Sequence, residues 1–207
     1  GAYRYQEWLD AQLIENAPWD GVVKTLLTAL GDPTDREKGG PVNYAADALD
    51  PTVAAEQTAQ RFLGIRMRCA QCHDHPFDIW TQDDYFGLAA FFAKVQRTGQ
   101  GMMGGMMMAS RPNIGLNPQG AVNHLRTGKP VQPRLIDGKS IAIPEGSDPR
   151  AALADWITSP DNPYFARATA NWVWAQLFGK GIVDPPDDMS RANPPVHPEL
   201  LDVLAAR

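Results

Sequence analysis

The chain has 207 residues, with 18 prolines, 18 glycines and a formal net charge of −5. This length suits one sizeable domain or two small ones. The negative balance gives no basic footprint for nucleic acid, and no apolar run reaches the length of a transmembrane helix.

Residues 3–16 carry Tyr5, Trp8, Leu9 and Leu13 at helical spacing, and Pro18 breaks the pattern. A second stripe of Trp19, Val22, Val23, Leu26, Leu27 and Leu30 predicts a helix ending at Gly31-Asp32-Pro33. A polar, glycine-rich loop is expected through Pro41. Asp50-Pro51 reads as an N-cap followed by proline at the first helical position, opening a helix to about Arg66. Thr81 and Asp84 form a T-x-x-D capping pattern for a helix that should run from Gln82 to Arg97, with Tyr85, Leu88, Ala89 and Phe92 inward.

Residues 109–147 are rich in proline and read as irregular. Val131–Ile136 and Ser140–Ile143 are expected to pair as short strands across the turn signal Asp137-Gly138. Asp148-Pro149 and Asn162-Pro163 each open a helix. The second should face Phe165, Thr169, Trp172 and Phe178 inward and end at Gly179. Pro198 opens the last helix. The expected fold is mainly α: a helical part over 1–108, an irregular connection over 109–147 with short strands, and a second helical part over 148–207. Gly1 runs almost directly into a helical pattern and Arg207 cuts another short, so we read the chain as part of a longer processed protein.

The chemistry-bearing stretch is Cys69-Ala70-Gln71-Cys72-His73, which holds the only two cysteines. It has the C-x-x-C-H form of a c-type haem attachment signature. On one helical turn two thiols can bond one porphyrin edge while the His73 imidazole reaches the iron. The rival readings are a dithiol redox pair, which lacks a surrounding βαβ pattern, and half of a zinc site, which wants four ligands. Arg66 and Arg68 just precede the motif and are candidates to hold a haem propionate, against the plainer reading of solvated charges. His75, with Asp74 and Asp78, fits a turn better than a metal site.

Five of the seven methionines fall within the glycine-rich stretch 99–108. Thioethers there suit an axial haem ligand or a Cu(I) site, and the plain alternative is an adaptable apolar surface. Met107 is the chosen distal ligand, Met103 the next choice and His124 the histidine alternative.

The run Phe62-Leu63-Gly64 through Cys69-Ala70-Gln71-Cys72-His73-Asp74-His75-Pro76-Phe77-Asp78, with Gln82-Asp83-Asp84-Tyr85-Phe86 and Asn16-Ala17-Pro18-Trp19-Asp20, resembles the secreted cytochrome-like domain of unknown function of planctomycetes. Leu153-Ala154-Asp155-Trp156-Ile157-Thr158-Ser159-Pro160-Asp161-Asn162-Pro163, Phe178-Gly179-Lys180-Gly181 and His197-Pro198-Glu199-Leu200-Leu201-Asp202 resemble the start of the uncharacterised domain that usually follows it. The chain departs from the pattern at Pro76, Ile79 and Trp172. The resemblance implies an exported bacterial protein, periplasmic or extracellular, with one covalent haem c.

The leading functional expectation is electron transfer by that haem. The protein would act with redox partner proteins or in a homo-oligomeric, filament-like assembly that brings haems together. The alternatives are a peroxidase-like haem enzyme with an open distal site and a structural module of an exported protein.

Overall fold

In the computed structural model the described residues are 2–98, 102–103, 106–107, 113–139 and 141–206. Eight α-helices and three two-stranded antiparallel sheets lie among them, so the chain is mainly helical. Helices α1 (Ala2–Ile14) and α2 (Trp19–Thr28) follow the two apolar stripes.

The expected loop through Pro41 is instead interrupted by a helix, α3 (Gly39–Asp47). Its glycines are there for close approach: a Cβ on Gly40 would stand 2.3 Å from Trp8 Cβ of α1. Asn43 ties down the helix start, its Nδ2 donating to the carbonyls of Pro33 and Gly39 at 3.0 and 2.6 Å.

The Asp50 side chain accepts from the backbone amides of Thr52 and Val53 and caps α4 (Pro51–Thr58). This helix loosens into a π turn at Ala59–Leu63 and stops at Gly64, whose φ of 67° ends it before Arg66. The capping box of Thr81 and Asp84 forms as expected at the start of α5 (Gln82–Ala90). That helix stops at Ala90 and not at Arg97. The amides of Phe91, Phe92 and Ala93 each bond three residues back, tightening the last turn. The chain then enters β1 (Val95–Thr98), which pairs antiparallel with β4 (Asn113–Leu116), Val95 opposite Leu116. β-branched Val95, Thr98 and Ile114 favour this extended state.

Between them β2 (Met102–Met103) pairs with β3 (Met106–Met107). The expected hairpin across Asp137-Gly138 is not seen among the described residues. Strands β5 (Val122–Asn123) and β6 (Pro130–Val131) pair instead. Pro133 lacks a ladder donor, the Arg134 amide donates to Gly87 O of α5 at 3.1 Å, and Leu135 and Ile136 are drawn into the core. Asp137-Gly138 remains a turn, closed by the Gly138 amide on Leu135 O at 3.0 Å.

Helices α6 (Pro149–Ile157), α7 (Phe165–Phe178) and α8 (Pro198–Ala205) complete the chain. The main core gathers α2, α4, the π turn and α5, and it also takes Leu153, Ala154 and Ile157 of α6. Arg150 at the start of α6 is almost fully enclosed, paired with Asp148 at 2.7 Å and donating to Thr28 O at the end of α2. A smaller cluster joins Ile182, Val183 and Leu201 under α7 and α8. On α7 the enclosed side chains are Ala168 and Asn171; Phe178, expected inward, is exposed. Asn171 serves the backbone, accepting from the Val183 amide and donating to Val183 O, each at 2.9 Å.

Candidate functional site

The motif sits on a 3-10 turn, Arg68–Gln71, entered from the π turn through buried Ile65 and Met67. Ala70 is fully enclosed and anchors the turn, while Cys69 and Cys72 on either side of it are exposed free thiols. Cys69 lies within the turn and Cys72 follows directly at its C-terminal end. The Cys72 amide donates to Cys69 O at 3.4 Å.

The His73 ring is exposed, with Nδ1 2.7 Å from the carbonyl oxygen of Asp74. A carbonyl only accepts, so Nδ1 carries the proton and Nε2 presents a free lone pair. This is the orientation a metal-ligating histidine takes.

The loop after the motif is pinned at several points. The His75 amide donates to Trp80 O at 2.8 Å, the Phe77 amide to His75 Nδ1 at 3.3 Å, and the Ile79 amide to Asp78 Oδ1 at 2.8 Å. Gln82 Nε2 of α5 holds Gln71 O at 2.9 Å. Trp80 is buried and meets the Tyr164 ring edge-on at 6.1 Å. Burial, then the charges of Asp137 and Asp78, push the Tyr164 hydroxyl above its ordinary pKa. In contrast Phe77 and Ile79 are 70% and 49% exposed, which leaves apolar surface on the loop that follows the motif.

Arg66 is engaged away from the thiols. Its Nη2 donates to Asp187 Oδ1 at 2.6 Å and its Nε to Oδ2 at 3.3 Å, with Nη1 3.6 Å from Asp188 Oδ2. Gln60 Nε2 donates to the same Asp187 carboxylate. Burial pushes that carboxyl up, but the hydrogen bonds from Arg66 and Gln60 outweigh it and hold its pKa below the ordinary carboxylate value. Arg68 is exposed at the start of the turn. The Arg66–Asp187 pair bridges 121 residues of sequence and reaches the acidic turn Asp184-Pro185-Pro186-Asp187-Asp188.

His124 is enclosed against the Phe86 ring at 5.1 Å, its Nδ1 accepting from the Arg126 amide and its Nε2 3.2 Å from Asp83 Oδ1. Met103 and Met107 belong to the β2–β3 pair, and their side chains lie outside the described residues, as do 99–101, 104–105 and 108–112. Among the described residues no three His, Cys, Asp or Glu side chains converge to hold a metal ion, and no helix is long and apolar enough to cross a membrane. A cleft of about 400 Å³ lies elsewhere, lined by Lys94, Pro118, Pro133, Pro144 and Glu145 among others.

Residues 1–97 match the family model described as PSCyt2, Protein of unknown function (DUF1549), and residues 149–207 match the one described as PSD1, Protein of unknown function (DUF1553). The two matches are the planctomycete-type domain pair. The motif turn lies in the PSCyt2 segment and the acidic turn in the PSD1 segment. No curated protein and no solved structure matches the chain.

The donor set fits a covalently held haem in three respects. The thiols are free and exposed, the His73 Nε2 is open, and the exposed apolar Phe77 and Ile79 follow them closely in the chain. Cys69, Cys72 and His73 are the residues that would hold the group.

Proposed function

We propose that the protein is an exported electron carrier with one covalent haem c on the Cys69–His73 turn. The observation that carries the reading is the His73 imidazole, fixed through Nδ1 on Asp74 O with Nε2 free, beside two exposed thiols on the same turn. Each thiol would add across one vinyl group of the porphyrin, the S–H bond breaking as a C–S and a C–H bond form with nothing leaving. His73 would hold the haem iron through Nε2, and the haem would supply the one-electron chemistry.

Arg68 is the propionate partner in this reading. Arg66 can take that role only by giving up its aspartates. Met107 holds the sixth position, with Met103 as the second choice. His124 serves only if its Nδ1 and Nε2 leave the Arg126 amide and Asp83. With one motif per chain, long-range transfer requires redox partner proteins or an assembly of copies that brings haems together. Covalent attachment takes place outside the energy-transducing membrane, which gives a periplasmic or extracellular location.

The deciding experiment is the mass and visible spectrum of the denatured protein from a host that matures c-type cytochromes. We expect the chain mass plus one haem, with colour kept through acid and organic extraction. Complete loss of colour to the solvent refutes the reading. Cys69→Ala or Cys72→Ala should weaken attachment, and replacing His73 should alter the iron spectrum with haem still attached.

A further inference from the structure

The contacts that the acidic-turn segment makes with the PSCyt2 segment converge on a few residues, and these lie just before the thiol turn. Asp187 receives Arg66 through two donors and Gln60 through a third, and Asp188 adds a longer ion pair to Arg66. Beside them the Met189 amide donates to Gly64 O at 2.8 Å. A Cβ on Gly64 would stand 2.8 Å from Met189 Cγ and Sδ and 3.5 Å from Ala168 Cβ of α7, so these side chains pack directly on the bare Gly64 backbone. Residues 60–66 are thus gripped from the PSD1 side, and Arg68 begins the motif turn two residues later.

The grip falls on an irregular stretch of backbone. A π turn widens the helix, Gly64 reverses the backbone into the left-handed region, and the following turn is a single 3-10 step. On the outer side the turn is held by Gln82 on Gln71 O. On the inner side only Ile65, Met67 and Ala70 are buried between the grip and the thiols.

We propose that Asp187 is a positioning residue for the thiol turn, acting through Arg66 and Gln60, so that the PSD1 segment sets the orientation in which the PSCyt2 segment presents Cys69, Cys72 and His73. Its value for haem chemistry rests on the reading above; the positioning itself does not. Fork-to-fork geometry matters here, because a guanidinium bound by both carboxylate oxygens fixes direction as well as distance.

The test is amide hydrogen exchange of the full chain, with haem content measured by mass on the same sample. Asp187→Asn should raise exchange over residues 65–73 roughly fivefold or more, while α2 and α6 stay at their original rates. Asp187→Glu, which keeps the charge and both oxygens, should restore much of the protection. An unchanged rate at 65–73 overturns the proposal. So does an even rise across all helices, which would mark a general loss of stability, or a failure of Asp187→Glu to differ from Asp187→Asn. A sample without haem that passes this test sinks the electron-carrier reading and leaves the positioning role standing.

Discussion

Asp187 responds to pH in a direction fixed by its partners. Its carboxyl titrates below the ordinary carboxylate range when folded, so the stability from Arg66 and Gln60 is fully present above that range. It is lost as pH falls through the folded value. Arg66 is 44% exposed, so we expect Asp187→Asn to cost only ~1 kcal/mol at neutral pH, with the gap to the native protein closing in acid. Urea titrations at the two pH values check this. Gly64→Ala meets two penalties, a φ of 67° and the Met189 thioether, and should cost at least ~1–2 kcal/mol in a thermal melt. An unchanged melt would show that Met189 moves aside freely. At this scale the motif and its caps were legible, because local spacing encodes them. Arg66 was not. An arginine beside a haem motif suggests a propionate, and only the folded chain brings residue 187 to it.

Helices α4 and α6 announce themselves through Asp-Pro at their starts. Asp50 shows what such a signal contributes: its side chain satisfies the amides of Thr52 and Val53, and Asp50→Ala should destabilise by ~1 kcal/mol, measured by urea denaturation. Helix α3 was missed because Gly-Gly-Pro reads locally as a loop. The tertiary demand that Trp8 lie against Gly40 makes those glycines helical. Gly40→Ala should therefore destabilise by roughly 1–3 kcal/mol, the reverse of what helix propensity alone predicts. A stabilised Gly40→Ala variant would contradict the packing argument. The α5 helix was read too long for a related reason. Phe91 and Phe92 continue the apolar pattern past Ala90, but they are buried in a tightened turn that redirects the chain into β1.

Across the whole molecule, the core does not stop where the PSCyt2 match ends. Leu153 of α6 is fully enclosed in the cluster that holds α2, α4 and α5. Leu153→Ala should cost ~2–5 kcal/mol, and fluorescence and far-ultraviolet dichroism should shift together in one transition. Two separated transitions would mean that the segments unfold independently. The expected boundary at residue 148 rests on sequence pattern, and nothing in a run of prolines reports what the next helix will pack against.

Arg150 draws out the inheritance of this arrangement. It is a nearly fully enclosed cation at the first turn of α6, neutralised by its own Asp148 and docked on the last carbonyls of α2. A recombination breakpoint anywhere between the two matched segments would strand the aspartate–arginine fork in one gene product and uncover the apolar flank of α2 in the other. Offspring of such a cut would uncover the stripe of α2 that packs on α6, prone to sticking to its neighbours. The physical join at Arg150 therefore acts as genetic linkage: descendants that keep the first segment with its present α2 must keep α6 as well, and lineages that shed the second segment should show polar residues in that stripe.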